Sequence, residues 1–223
     1  MSNPLRRLFH RITLADRAYE FLFEPGPPDE AVVVDCETTG LDPRVDDIVP
    51  VAAIRVRGNR ILTSERFEAL IRPDAQSTSA AIKVHRLREA DVREGRPMRQ
   101  VLPDLLGFIG GRPLVGYYID FDVRMLDKYV LGYIQAKLPN RRIEVSEMYY
   151  AVKYKGAPPG TSYDLRFNAI LADLGIPALE QHDALNDAIM TAMMYLQLKD
   201  LRERGMRLAR RRAEERPYLP IGG

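Results

Sequence analysis

Cysteine is nearly absent from this 223-residue chain, and Cys36 alone excludes an intramolecular disulfide and a thiolate zinc site. Such usage fits a reducing compartment. Long apolar runs are absent too. The longest, Ile48 to Ile54, is seven residues and contains Pro50, whereas a membrane span needs about 20. Near the N-terminus, Arg6, Arg7, Arg11, Asp16 and Arg17 interrupt the apolar residues and break any signal-peptide core. The expectation is a soluble cytoplasmic protein without membrane association. No charge sign dominates, with 33 basic residues against 31 acidic. There is no internal repeat and no low-complexity stretch. Without Gly-x-x-x-x-Gly-Lys, Gly-x-Gly-x-x-Gly or Gly-x-Ser-x-Gly, nucleotide-triphosphatase, dinucleotide and α/β-hydrolase readings lack support.

The length accommodates one domain with its own core plus short extensions. Leu5, Leu8, Phe9, Ile12, Ala15, Tyr19 and Phe23 recur at helical spacing, which predicts a leading helix over 4–23. Glu24-Pro25-Gly26-Pro27-Pro28 ends it. Residues 1–29 are therefore read as a helical extension with a Pro-rich linker, 30–198 as the main domain and 199–223 as a basic helical tail. Residues 199–216 carry eight basic and four acidic side chains. That tail is either a solvated helix face or, through Arg207, Arg210, Arg211 and Arg212, a source of phosphate contacts.

Ala31 to Val34 predicts a buried strand. Strands at about 48–57 and 60–71 follow, joined by a Gly58-Asn59 hairpin. Ile54 and Val56 alternate with Arg55 and Arg57, one face buried and one wet. Pro50 removes a ladder donor, so that strand should start irregularly or lie at an edge. Helices are expected at about 79–93, 98–109, 120–138, 163–174 and 183–212, with short strands at 113–117 and 142–145. This order predicts an α/β domain, a mixed sheet with helices on its faces.

Three places carry chemistry. In Asp35-Cys36-Glu37-Thr38-Thr39-Gly40-Leu41, two acids two positions apart on a strand share one face. Desolvation and repulsion disfavour their charged forms there, and a divalent cation removes that penalty. Solvated or Arg-paired acids are the plainer alternative. In Gly116-Tyr117-Tyr118-Ile119-Asp120-Phe121-Asp122, Asp120 fits a helix cap, which leaves Asp122 unexplained. In His182-Asp183-Ala184-Leu185-Asn186-Asp187-Ala188, Asp183 can cap the last helix. Asp187 projects from the same side one turn later, and His182 sits in the preceding loop.

Together these segments resemble the DEDDh family of 3′–5′ exonucleases of the ribonuclease H-like superfamily, which includes the proofreading epsilon subunit of bacterial DNA polymerase III. The resemblance runs from about Ala31 to Leu198. Ile82-Lys83-Val84-His85 adds to it, with Arg86 where the family has glycine and His85 read as structural. It implies a mixed five-stranded sheet, an antiparallel meander plus parallel strands. It also implies hydrolysis from a 3′ end with two divalent cations, Mg²⁺ or Mn²⁺. The implied metal ligands are Asp35, Glu37, Asp122 and Asp187, with Asp35 as the bridge. His182 is the implied general base, a residue type suited to proton transfer near neutral pH. The backbone of Thr38, Thr39, Gly40 and Leu41 would line the terminal-nucleotide pocket. Tyr117-Tyr118 replace the family's His-Asn, and they either stack on a nucleobase or fill space.

The expected partner is nucleic acid with a free 3′ end, DNA favoured. RNA trimming and a non-cutting nucleic-acid-binding module are the alternatives. A polymerase partner is compatible but not indicated, and the oligomeric state is open.

Overall fold

Three consecutive valines, Val32 to Val34, form the middle of β1 (Glu30–Thr38) and are buried on both faces. In the computed structural model, which describes residues 4–73, 92–180 and 182–209 (residues 4–7 as backbone only), β1 is the centre of a five-stranded sheet ordered β3-β2-β1-β4-β5. On one side β2 (Ile48–Arg57) and β3 (Arg60–Leu70) form an antiparallel meander. On the other, β4 (Leu114–Gly116) and β5 (Arg142–Glu144) run parallel to β1. This is the mixed sheet of a ribonuclease H-like domain. Gly58, at φ 60, turns the β2–β3 hairpin where Arg57 faces Arg60. Pro50 lies in an interior strand, so the edge placement does not hold. Its irregularity does: the β1–β2 register shifts between Cys36 and Thr38, opposite the segment containing Pro50.

Alternation along β1 divides the core. Val32, Val34 and Cys36 pack with residues of the N-terminal segment, of α2 (Met98–Ile109) and of α3 (Ile119–Ile134). Ala31 and Val33 pack with α4 (Val145–Lys153), α5 (Phe167–Leu174) and α6 (Ala184–Glu203). Burying each of these valines stabilises the fold by about 1.5–3 kcal/mol.

Several expected elements change. The leading helix divides into α1 (Pro4–Ile12) and a 3₁₀ turn, Arg17–Phe23, whose N-cap Asp16 accepts the Ala18 N–H. Leu14, Leu22 and Phe23 enter the core while Leu8, Phe9 and Ile12 stay exposed, so the break follows tertiary packing and not periodicity. α6 stops at Glu203, before the left-handed Gly205, so the helix does not reach 212. The tail is non-helical over 206–209, and Arg210, Arg211 and Arg212 lie outside the described residues. Helix 163–174 begins only at Phe167, and α4 is an addition. The pattern at 79–93 falls almost wholly outside the described residues, as does His85.

The parallel arrangement brings the C-terminal ends of β1, β4 and β5 to one edge. β1 and β4 pair only through Val32–Leu114 and Val33–Val115. Beyond that point the strands part, at the junction between the antiparallel and parallel halves. Open α/β sheets bind ligands at such a junction. Gly116 eases the tight turn into α3, because a Cβ there would lie 3.1 Å from Ile119 Cβ and 3.3 Å from its Cα.

Candidate active site

Asp35 and Glu37 have the same parity as Ala31 and Val33, so they point toward the α6 side of the sheet. The start of α6 meets them. Asp183 is its N-cap and accepts the Asn186 N–H at 2.9 Å. Asp187 follows one turn later. His182 holds a left-handed backbone, φ 64, and its N–H donates to Asp187 Oδ2 at 3.0 Å. One ligand atom each from Glu37, His182 and Asp187 lie within 4.8 Å of one another.

Asp122 arrives from the opposite layer through the gap between β1 and β4. It is buried, and its Oδ1 accepts the Cys36 N–H at 3.0 Å, next to Asp35. Asp120 does not cap α3. It is exposed and pairs with Arg142 at 2.7 Å. The N-cap residue is Tyr118, left-handed at φ 57 and without a side-chain cap bond. Glu144 takes that role: its Oε2 accepts the Ile119 N–H at 2.9 Å and its Oε1 the Ser146 N–H at 3.0 Å. Sequence reasoning missed Glu144, although an acid directly before an apolar helical stripe is a capping signal.

The electrostatics fit a cation site. Burial pushes the Asp35 carboxyl well above the usual range, and Asp122, Asp187, Glu37 and Asp183 push it further. Glu37 is pushed up to about 7 by burial, then by Asp187 and Asp183. Asp122 rises to about 8, chiefly by burial, against the opposing Cys36 N–H bond. Asp187 is raised by burial despite the His182 N–H. Among the described residues, no Lys or Arg is one of the largest influences on these four acids. Asp187 Oδ1 is buried with no hydrogen-bond partner among them. A carboxylate cluster dominated by burial and mutual repulsion, one oxygen left unpaired, suits divalent metal.

The segment after β1 is held firmly. Thr38 Oγ1 donates to the Gly40 carbonyl at 2.6 Å, and Thr39 Oγ1 donates to Asp46 Oδ1 at 3.1 Å. A Cβ on Gly40 would come within 2.5 Å of the Asp46 carboxylate. The Thr38 and Thr39 side chains are thus buried, whereas Leu41 is 84% exposed. Tyr117 and Tyr118 separate in role. Tyr117 packs at 5.1 Å from Phe167 and its hydroxyl donates to the Leu165 carbonyl at 3.0 Å, while the Tyr118 ring is exposed.

A mixed sheet with carboxylates gathered where its parallel strands end defines a class of α/β domain suited to metal-assisted hydrolysis. The exonuclease (RNase_T) family profile matches residues 32–195, and the chain belongs to that family. The PolC-type DNA polymerase III of Thermotoga maritima is 30% identical over 173 residues, covering 76% of this chain and 12% of that protein. The DNA polymerase III subunit epsilon of Aquifex aeolicus is 28% identical over 167 residues, covering 75% of this chain and 79% of that one. Among solved structures, the zinc-bound complex of E. coli ExoI with ssDNA superposes with a TM-score of 0.66 at 18% identity, covering 80% of this chain and 42% of that chain. The chain thus spans about an eighth of the PolC-type relative's length. Among the described residues no helix is long and apolar enough to cross a membrane.

Proposed function

We propose that the protein is a metal-dependent 3′–5′ exonuclease that hydrolyses phosphodiester bonds from the 3′ end of nucleic acid, DNA favoured, in the cytoplasm. The observation that carries this reading is the convergence of acids from β1, α3 and α6 at one strand end, with His182 beside them. Membership of the exonuclease family supports it, and the names of the polymerase III relatives support DNA.

Asp35, Glu37, Asp122 and Asp187 would hold two divalent cations, Mg²⁺ or Mn²⁺. When bound, these ions supply positive charge to the attacking and leaving oxygens of an in-line displacement. Asp122, anchored to the Cys36 N–H, fixes α3 against β1. His182 takes the proton of the attacking water, and its backbone bond to Asp187 keeps it over the cluster. The firm Thr38–Leu41 segment lines the terminal-nucleotide pocket.

The test is digestion of 5′-labelled DNA and RNA oligonucleotides, single-stranded and paired, with Mg²⁺ and then Mn²⁺. A ladder shortening from the 3′ terminus is expected, lost in Asp35→Ala with the fold retained. Undiminished activity in that variant overturns the assigned site, and tight metal binding without any ladder establishes a non-cutting module.

A further inference from the structure

We infer that Tyr118, Tyr163 and Tyr150 form a stacking track along which an unpaired 3′ strand reaches the acidic cleft. The inference rests on the exonuclease reading and adds the side chains of this chain that would guide the strand to that site.

Tyr118 starts the track. It is 61% exposed and lies one turn before Asp122 on α3. Its left-handed backbone is unfavourable for a bulky residue, and such strain persists where the surroundings impose it, often at a functional site. The helix start does not use its side chain, because Glu144 satisfies the Ile119 N–H. The ring instead rests 4.5 Å from that of Tyr117, which Phe167 and the Leu165 carbonyl hold in place. Tyr117 is a backing and Tyr118 the presented surface.

The same Leu165 carries the track outward. Tyr163 is two residues away, within about 7 Å along the chain. It is 57% exposed and meets Tyr150 edge-on, with centroids 5.5 Å apart at 78°. Tyr150 is 40% exposed. Both rings are backed by the buried Tyr154, at 5.8 Å from Tyr163 and 6.1 Å from Tyr150. The Lys153 ammonium sits 5.4 Å from the Tyr154 centroid and fixes it in turn. Three exposed rings on fixed supports, linked through Leu165 and Tyr117 to the start of the helix that carries Asp122, match what unpaired bases need. Every base has a π face, and stacking on aromatic side chains is tolerant of sequence. A duplex end keeps those faces in its own stack. Lys155 and Arg207, joined through the Lys155 carbonyl, flank the outer rings with charge of the sign that phosphates require.

Steady-state kinetics on four substrates test this: oligodeoxyuridylate, oligouridylate, a blunt DNA duplex and the p-nitrophenyl ester of thymidine 5′-monophosphate. Tyr163→Ala and Tyr150→Ala should each raise KM for the single strands about fivefold to a hundredfold. Their kcat, and their rates on the ester and the duplex, should stay at wild-type values. Tyr163→Phe and Tyr150→Phe should restore KM, because the π face and not the hydroxyl is used. Loss on one single strand only also supports the track and names the sugar it accepts. Unchanged KM in both alanine variants, with the ester still hydrolysed, overturns the track and leaves the exonuclease reading standing. Equal losses on the duplex overturn the single-strand assignment. Failure of the wild type on every substrate overturns the exonuclease reading itself.

Discussion

The Asp122 carboxylate accepts the backbone N–H of Cys36 at 3.0 Å, in the gap where β1 and β4 stop pairing. One side chain thus closes the sheet's open ladder and contributes charge to the acidic cluster. The two roles separate by substitution. Asp122→Asn retains an acceptor for Cys36 and loses the charge, whereas Asp122→Ala leaves a buried N–H unpaired, at about 1–3 kcal/mol. Both variants should lose nuclease activity, but Ala should melt several degrees below Asn, at about 2–4 °C per kcal/mol for a domain of this size. Equal melting temperatures would mean that the bond contributes nothing to the fold.

The raised carboxyls make a claim about pH. Glu37 titrates at about 7 and Asp122 at about 8 in the folded chain, against an ordinary carboxylate range near 4. The folded state therefore binds more protons than the unfolded state between those values. Stability falls as pH rises through that window. In EDTA, the melting temperature should drop between pH 5.5 and pH 8.5. Saturating Mg²⁺ should reverse most of the drop, since a ligand of the ionised site stabilises the native state. Differential scanning fluorimetry at the two pH values checks this. A metal-insensitive melting temperature at pH 8.5 would remove the cation site from these residues.

How the cluster was legible follows from its local chemistry. Two acids ending a run of valines, and Asp183 capping α6 beside His182, are both local signals, and each lies where expected. Asp122 was legible only through the motif, since burial of one acid on an exposed helix start is a tertiary event. The Asp120 cap failed because Glu144, from β5, reaches the α3 terminus across the sheet. α4 shows Val145, Met148, Tyr149 and Val152 at helical spacing, but its valines and tyrosines also suit a strand. The break after α1 had one local mark, the capping Asp16, which the apolar stripe through Leu8, Phe9 and Ile12 masked, and the core takes Leu14 and Leu22 instead.

His182 has a left-handed backbone, φ 64, which glycine adopts without strain. His182→Gly should therefore keep the loop and the N–H bond to Asp187, with a melting temperature close to wild type. Its activity should fall about 10²–10⁴-fold if the imidazole is the proton acceptor. A fall below tenfold would assign that proton elsewhere.

Glu144 links two helix starts with one carboxylate. Oε2 accepts from Ile119 N–H at the head of α3, and Oε1 from the Ser146 N–H and hydroxyl, at 3.0 and 2.7 Å, at the head of α4. Glu144→Gln keeps one oxygen acceptor and so can satisfy only one helix, while Glu144→Ala satisfies neither. The expected stability order is wild type, Gln, Ala, with about 1–3 kcal/mol for each buried donor left unpaired. Because α3 carries Asp122, activity should fall in the same order, through kcat more than KM, since metal positioning and not strand binding is disturbed. An alanine variant with wild-type kcat would show that α3 holds Asp122 in place without Glu144.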